Sequence, residues 1–155
     1  MANTIVIKGS GVRSEAIANA AITPGHLLQL MSTGKVRKHA TAGQAGNVGP
    51  RAFAIEDELQ GNGIGTDYDT GDLVQYNVML PGDEVYAILK DGISYSIGDM
   101  LESSGNGTLM KHVADEDSTV GQIFTDVIVG ICKEALDLTG SAGEEPTNHC
   151  RVEII

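Results

Sequence analysis

Two cysteines, four histidines and a large set of carboxylates are the residues of this chain that could do chemistry. Cys132 and Cys150 are too few for a disulfide framework, and no Cys-x-x-Cys pair occurs. With no signal peptide legible, the expected setting is a reducing compartment, with both thiols free and buried. His149 beside Cys150 places two metal-ligating types together, but neighbours on an extended strand point to opposite faces. His26, His39 and His112 lie far apart in sequence. The stretch Asp67-Tyr68-Asp69-Thr70-Gly71-Asp72 alternates carboxylates near a glycine, as calcium loops do. Its glycine falls one place early, however, and Val78 stands where such a loop needs a bidentate Glu. Asp115-Glu116-Asp117 is a like-charge run with the composition of a solvated loop. Glu102 and the other acids show no spacing that marks a catalytic pair. Nucleophile elbows, zincin helices and phosphate-binding Walker loops are absent. The expectation is therefore no catalytic residue, no metal and no cofactor, and a protein that is not an enzyme.

The composition narrows the partners. At 155 residues and 16.2 kDa the chain has the size of one domain with a real core. Lys and Arg number 10 against 21 Asp and Glu, a net charge of −11. Phosphate backbones are bound by basic surfaces, so a nucleic-acid partner is not expected. No apolar run approaches the ~20 residues that cross a bilayer, so no membrane is expected either. The charge is unevenly spread: residues 1–51 hold six bases and one acid, residues 52–155 four bases and 20 acids. A basic N-terminal region suits an acidic partner.

The elements that must position these groups read as short strands and turns. Twenty glycines and 4% aromatics fit many strands joined tightly. Thr4-Ile5-Val6-Ile7 favours a strand that ends at Gly9. Residues 14–22 fit either a helical turn capped by Ser14 or an extended arm. Thr23-Pro24-Gly25 turns the chain, and Leu27–Met31 and Lys35–Thr41 form a hairpin around Ser32-Thr33-Gly34. Residues 42–50 read as a flexible loop, 51–56 as a strand and 60–71 as a long surface loop. Strands follow at Leu73–Leu80 and Glu84–Lys90, joined by Pro81-Gly82-Asp83, and Asp91-Gly92 is a hairpin signal. Val120–Leu138 holds one strand or two with a bulge at Gly130. Residues 140–147 read as a polar loop, and Cys150–Ile155 is a last strand. With no βαβ alternation this is an all-β chain, a small barrel or sandwich. It divides into an extended N-terminal arm, 1–22, and a single barrel or sandwich domain, 23–155.

One hairpin occurs twice. Pro24-Gly25-His26-Leu27-Leu28 matches Ile97-Gly98-Asp99-Met100-Leu101 at an offset of 73, as do Gly34 with Gly107, Val36 with Leu109, and Lys38-His39 with Lys111-His112. Phe53-Ala54-Ile55 matches Val129-Gly130-Ile131 at an offset of 76. The glycines supply positive φ and the apolar residues mark the inward face. The Lys-His pairs read as polar strand ends. Pseudo-symmetry within one domain follows.

The stretches Ala20–Leu28, Gly34–His39, Leu80-Pro81-Gly82-Asp83-Glu84-Val85-Tyr86-Ala87, Ile97–Glu102 and Gly107–His112 resemble the head decoration (cement) proteins of tailed bacteriophages. The resemblance covers most of residues 15–140. It implies a β-rich structural protein of the virion, commonly a homotrimer. Such a protein sits on the outer capsid surface, binds the major capsid protein of the expanded head and stabilises it against DNA pressure. It would be made in the host cytoplasm. It carries no catalytic residues over. Contact through the N-terminal segment is implied by position, and within that segment Thr4, Ile5, Val6, Ile7, Lys8 and Arg13 are the candidate capsid contacts. The strand run could add to a shell sheet edge, and the two cations could meet shell carboxylates. The alternative is another virion-associated binding module, for a receptor or glycan; glycan sites favour exposed aromatics, and this chain has no Trp.

Overall fold

The computed structural model describes residues 3–42, 49–113, 127–140 and 148–155. The chain is all-β. Its strands are β1 (Val6–Lys8), β2 (Val12–Ile17), β3 (Leu27–Leu30), β4 (Val36–Lys38), β5 (Ala52–Ala54), β6 (Leu73–Val78), β7 (Glu84–Ile88), β8 (Ser94–Tyr95), β9 (Met100–Ser103), β10 (Leu109–Lys111), β11 (Ile128–Cys132), β12 (Leu136–Asp137) and β13 (His149–Ile154). A six-stranded sheet runs β1-β7-β13-β11-β9-β10, a five-stranded sheet β2-β6-β5-β3-β4, and β8 pairs with β12. All these ladders are antiparallel. Neither large sheet closes into a barrel, so of the two architectures expected, the sandwich is the one found.

The duplication extends well beyond the hairpin. β3 and β4 lie 73 residues before β9 and β10, and β6 lies 76 before β13. The order β4-β3-β5-β6-β2 in one sheet is matched by β10-β9-β11-β13-β7 in the other. Arg13 faces Asn77 across β2–β6 as Glu84 faces Glu153 across β7–β13. The residue after β2 makes one isolated parallel bridge to β4, Ala18 with Val36, and the residue after β7 makes the matching one to β10, Leu89 with Leu109. The β8–β12 pair likewise has a counterpart in the bridge between Ile22 and Tyr68. β1 is the one described strand without such a match.

A four-residue turn recurs with the repeat. In Thr23-Pro24-Gly25-His26, Asp69-Thr70-Gly71-Asp72, Leu80-Pro81-Gly82-Asp83 and Ser96-Ile97-Gly98-Asp99, the last residue's N–H donates to the first residue's carbonyl. The first N–H donates back to the last side chain, at 3.0, 2.8, 3.0 and 2.8 Å. The third residue has φ of 102°, 95°, 94° and 93°. That conformation disfavours any residue with a Cβ, which is why glycine holds the place. His26 does in the first repeat what Asp99 does in the second.

Strand alternation divides the apolar residues into two groups. Leu28, Val36, Ala52, Ala54, Val74 and Tyr76 fill one cluster inside the five-stranded sheet. Leu27 and Phe53, the opposite faces of β3 and β5, instead join Val85, Leu101, Leu109, Val129 and Val152 in the larger cluster. The two repeats also interlock at their hairpins. Leu27 N–H donates to the Gly107 carbonyl at 2.7 Å and Gly107 N–H to the His39 carbonyl at 3.1 Å, while His39 Nδ1 meets Ser103 Oγ at 2.8 Å.

Several local expectations change. Residues 14–22 take the extended alternative, not the helical one, over β2. Pro81-Gly82 does not join hairpin partners: β6 and β7 belong to different sheets, so the turn carries the chain from one layer to the other. Asp91-Gly92 likewise turns the chain without pairing β7 to β8. The loop 60–71 is not wholly superficial: Ile64 and Tyr68 are buried, and Tyr68 donates its hydroxyl to the Ile55 carbonyl at 2.7 Å. The bulge expected at Gly130 is present as a register shift between Ile128 and Gly130 on β9. The readings for 114–126, with Asp115-Glu116-Asp117, and for 141–147 lie outside the described residues.

Candidate functional site

The six candidate contacts fall at the edges of two sheets. The described part of the N-terminal segment is incorporated in the sandwich, with β1 ending one sheet and β2 the other. Ile5 is fully buried in the larger core cluster, with Val6 and Ile7 half-buried against it. The Tyr86 N–H donates to the Ile5 carbonyl at 2.7 Å, continuing the β1–β7 ladder. Thr4, Lys8 and Arg13 are exposed. Thr4, Val6 and Arg13 share the lining of a shallow cleft of about 280 Å³ with Ser10, Glu56 and Asn77. Lys8 lies apart from it.

Carboxylates hold this segment in place. The buried Glu56 accepts from the Thr4 hydroxyl through Oε1 and from the Ile5 N–H through Oε2 at 3.0 Å. Glu84 accepts from Arg151 Nη2 at 2.7 Å and from Lys8 Nζ at 3.2 Å. The Arg151 guanidinium, with Lys8 beside it, holds the Glu84 carboxyl below the usual carboxylate range. Neither acid is singled out by the sequence; the one signal for Glu56 is its place at the end of the apolar run 51–55. Glu56→Ala is expected to strip the acceptor from a buried N–H and cost about 1–3 kcal/mol. Amide exchange of residues 4–8 should accelerate before that of β13; equal protection in variant and parent would contradict the clamp.

The residues with chemical potential have structural partners. Asp72 in the calcium-like stretch accepts from the Asp69 N–H within the recurrent turn. His149 Nε2 donates to the Pro24 carbonyl at 3.0 Å and its ring stacks on Tyr86. The two cysteine sulfurs lie 3.3 Å apart, both free and buried. The hydrogen bond with Cys132 and burial push the Cys150 thiol up, so Cys150 stays protonated. The Lys-His pairs are strand ends on unlike partners: His39 on Ser103, His112 Nδ1 on Glu102 Oε2. Among the described residues no group of three or more His, Cys, Asp or Glu is placed to hold a metal ion. A polar cleft of about 430 Å³ lies under the 57–72 loop, with Glu15, Asp57, Asp67, Asp72 and Tyr68 in its wall.

No protein-family model matches the chain, and no curated protein matches it. Among solved structures it is similar to the head fiber gp8.5 N base of bacteriophage phi29, with a TM-score of 0.53 and 18% sequence identity over 93% of each chain. At that identity the likeness is one of fold.

Proposed function

We propose that this chain is a structural protein of a phage virion. It binds the outer surface of the assembled, expanded head as a decoration (cement) protein and performs no chemistry. The observation that carries this reading is the fold shared with a phage head fibre base across nearly the whole chain. The resemblance of the turn-strand stretches to cement proteins supports the finer assignment. The partner is the major capsid protein, met from outside. β1 ends its sheet, and among the described residues no strand pairs with its outer edge, which could take a strand of the shell; the exposed Thr4 and Lys8 flank that edge.

The energetics suit adhesion. A protein that binds the expanded lattice and not its dispersed subunits stabilises it by RT ln(1 + [L]/Kd), roughly 2.7 kcal/mol per site at 100-fold excess over Kd. Repetition over a shell multiplies that modest term. The test is sedimentation of the purified protein with expanded and with unexpanded heads. It is expected to pellet with expanded heads, saturably, and to stay in the supernatant with unexpanded ones. Binding to neither would reject the assignment, and specific hits on a glycan array in its place would favour a receptor-binding module.

A further inference from the structure

The duplication leaves one sheet edge covered and its counterpart, over Val12–Ala16, without a paired strand among the described residues. β7 is covered on its outer side by β1. β2, which holds the same place in the five-stranded sheet, ends that sheet; among the described residues its outer side is met only past its C-terminal end, where Ala18 bridges Val36 of β4, and no strand pairs with that side over Val12–Ala16. Ala18 N–H donates inward to the Asp72 carbonyl at 2.8 Å, so by strand alternation Arg13 and Glu15 direct their N–H and C=O groups outward, while past them the Asn19 N–H already bonds the Val36 carbonyl at 2.8 Å. The corresponding outward group on β7, the Tyr86 N–H, is bonded to β1. Val12, Ile17 and the neighbouring Leu73 are 58%, 39% and 45% exposed. An exposed edge with apolar flanks is a template for another strand.

We infer that β2 pairs with β2 of a second copy, antiparallel, about a twofold axis at Ser14. Charge selects both the occupant and the register. With the axis at Ser14, Arg13 stands opposite Glu15 of the partner subunit, and Glu15 opposite Arg13 of the partner subunit. Both are hydrogen-bonded pairs, and opposite charges directly across a ladder are favourable. Moving the axis to Arg13 or Glu15 sets like charges against each other. Shifting it between residues opposes an outward-directed residue to an inward-directed one. At the Ser14 axis Val12 packs against Ala16 of the partner subunit, and the ladder stops short of Ile17, where β4 meets the edge. Gln75 already holds the two charges on one face, accepting from Arg13 Nε at 3.4 Å and donating to Glu15 Oε2 at 3.1 Å. A self-complementary patch closing on itself about a twofold axis is the commonest form of homo-oligomer. The inference does not rest on the virion reading, and it differs from the homotrimer that the cement-protein resemblance implies.

Charge exchange tests it by sedimentation equilibrium. The parent is expected at twice the 16.2 kDa chain mass. Arg13→Glu and Glu15→Arg alone should each weaken association at least about tenfold, toward the monomer mass. The double exchange R13E/E15R should restore the dimer. A 1:1 mixture of the two single variants should form a heterodimer, because each then meets its opposite charge at both pairs. An unchanged circular-dichroism spectrum of each variant would show that the fold is intact, since both side chains are exposed. A monomeric parent, or a dimer or trimer that neither single exchange weakens, would overturn the inference.

Discussion

Gly130→Val is expected to destabilise the chain by about 3 kcal/mol or more and to lower Tm by roughly 10 °C. A Cβ built on Gly130 would sit 2.4 Å from the Glu153 carbonyl oxygen and 2.7 Å from Val152 Cγ1. The first of these is main chain of the adjacent strand, so relief requires β11 and β13 to part. Those strands form the centre of the six-stranded sheet, with Val129 and Val152 fully buried between its layers. Gly140→Val is the control, since nothing lies within 4 Å of its added Cβ. Thermal unfolding should separate the two. Equal melting temperatures would mean that the sheet is not packed as described.

Acid should destabilise the fold through His26 before the carboxylates titrate. Burial, reinforced by Lys38 and His149, lowers the His26 pKa to about 3. Its Nδ1 accepts from the Thr23 N–H at 3.0 Å and must stay unprotonated for the turn to keep that bond. The unfolded chain takes up the proton near pH 6.5 and the folded chain does not. Stability is therefore full above that pH and declines as pH falls toward 3, by about 1.4 kcal/mol per unit. Glu84 and Asp99, whose folded pKa values are lowered, contribute stability lost only below their ordinary values of 4.5 and 3.8. Across pH 6.5 to 5 the His26 contribution amounts to about 2 kcal/mol, and the difference between the parent and a variant without this imidazole isolates it. His26→Asn keeps an acceptor for Thr23 and removes the titration. Its stability should fall less than the parent's across that interval, by about that amount. Parallel curves would refute the assignment.

Most strands were legible because each is short, β-branched or alternating, and bounded by Gly or Pro. The repeat was legible as Gly25, Gly34, Gly98 and Gly107, where positive φ restricts the residue type. Its full extent was not: β6 and β13 share no residue pattern, and only their equal ladders relate them. Strand pairing was the weaker inference throughout. Pro81-Gly82 and Asp91-Gly92 are strong local turns, but a turn sets direction and not partner. Ile5 reads equally as core or contact from its own run; what decides it is long-range packing in the larger core cluster, with its N–H held by Glu56, 51 residues away.

Adhesion that reinforces a filled head is measured most directly by DNA release on heating. Filled heads saturated with this protein should release their DNA at a temperature several degrees above that of bare heads, with the shift reversing when the protein is washed off. Saturated binding that leaves the release temperature unchanged would contradict it.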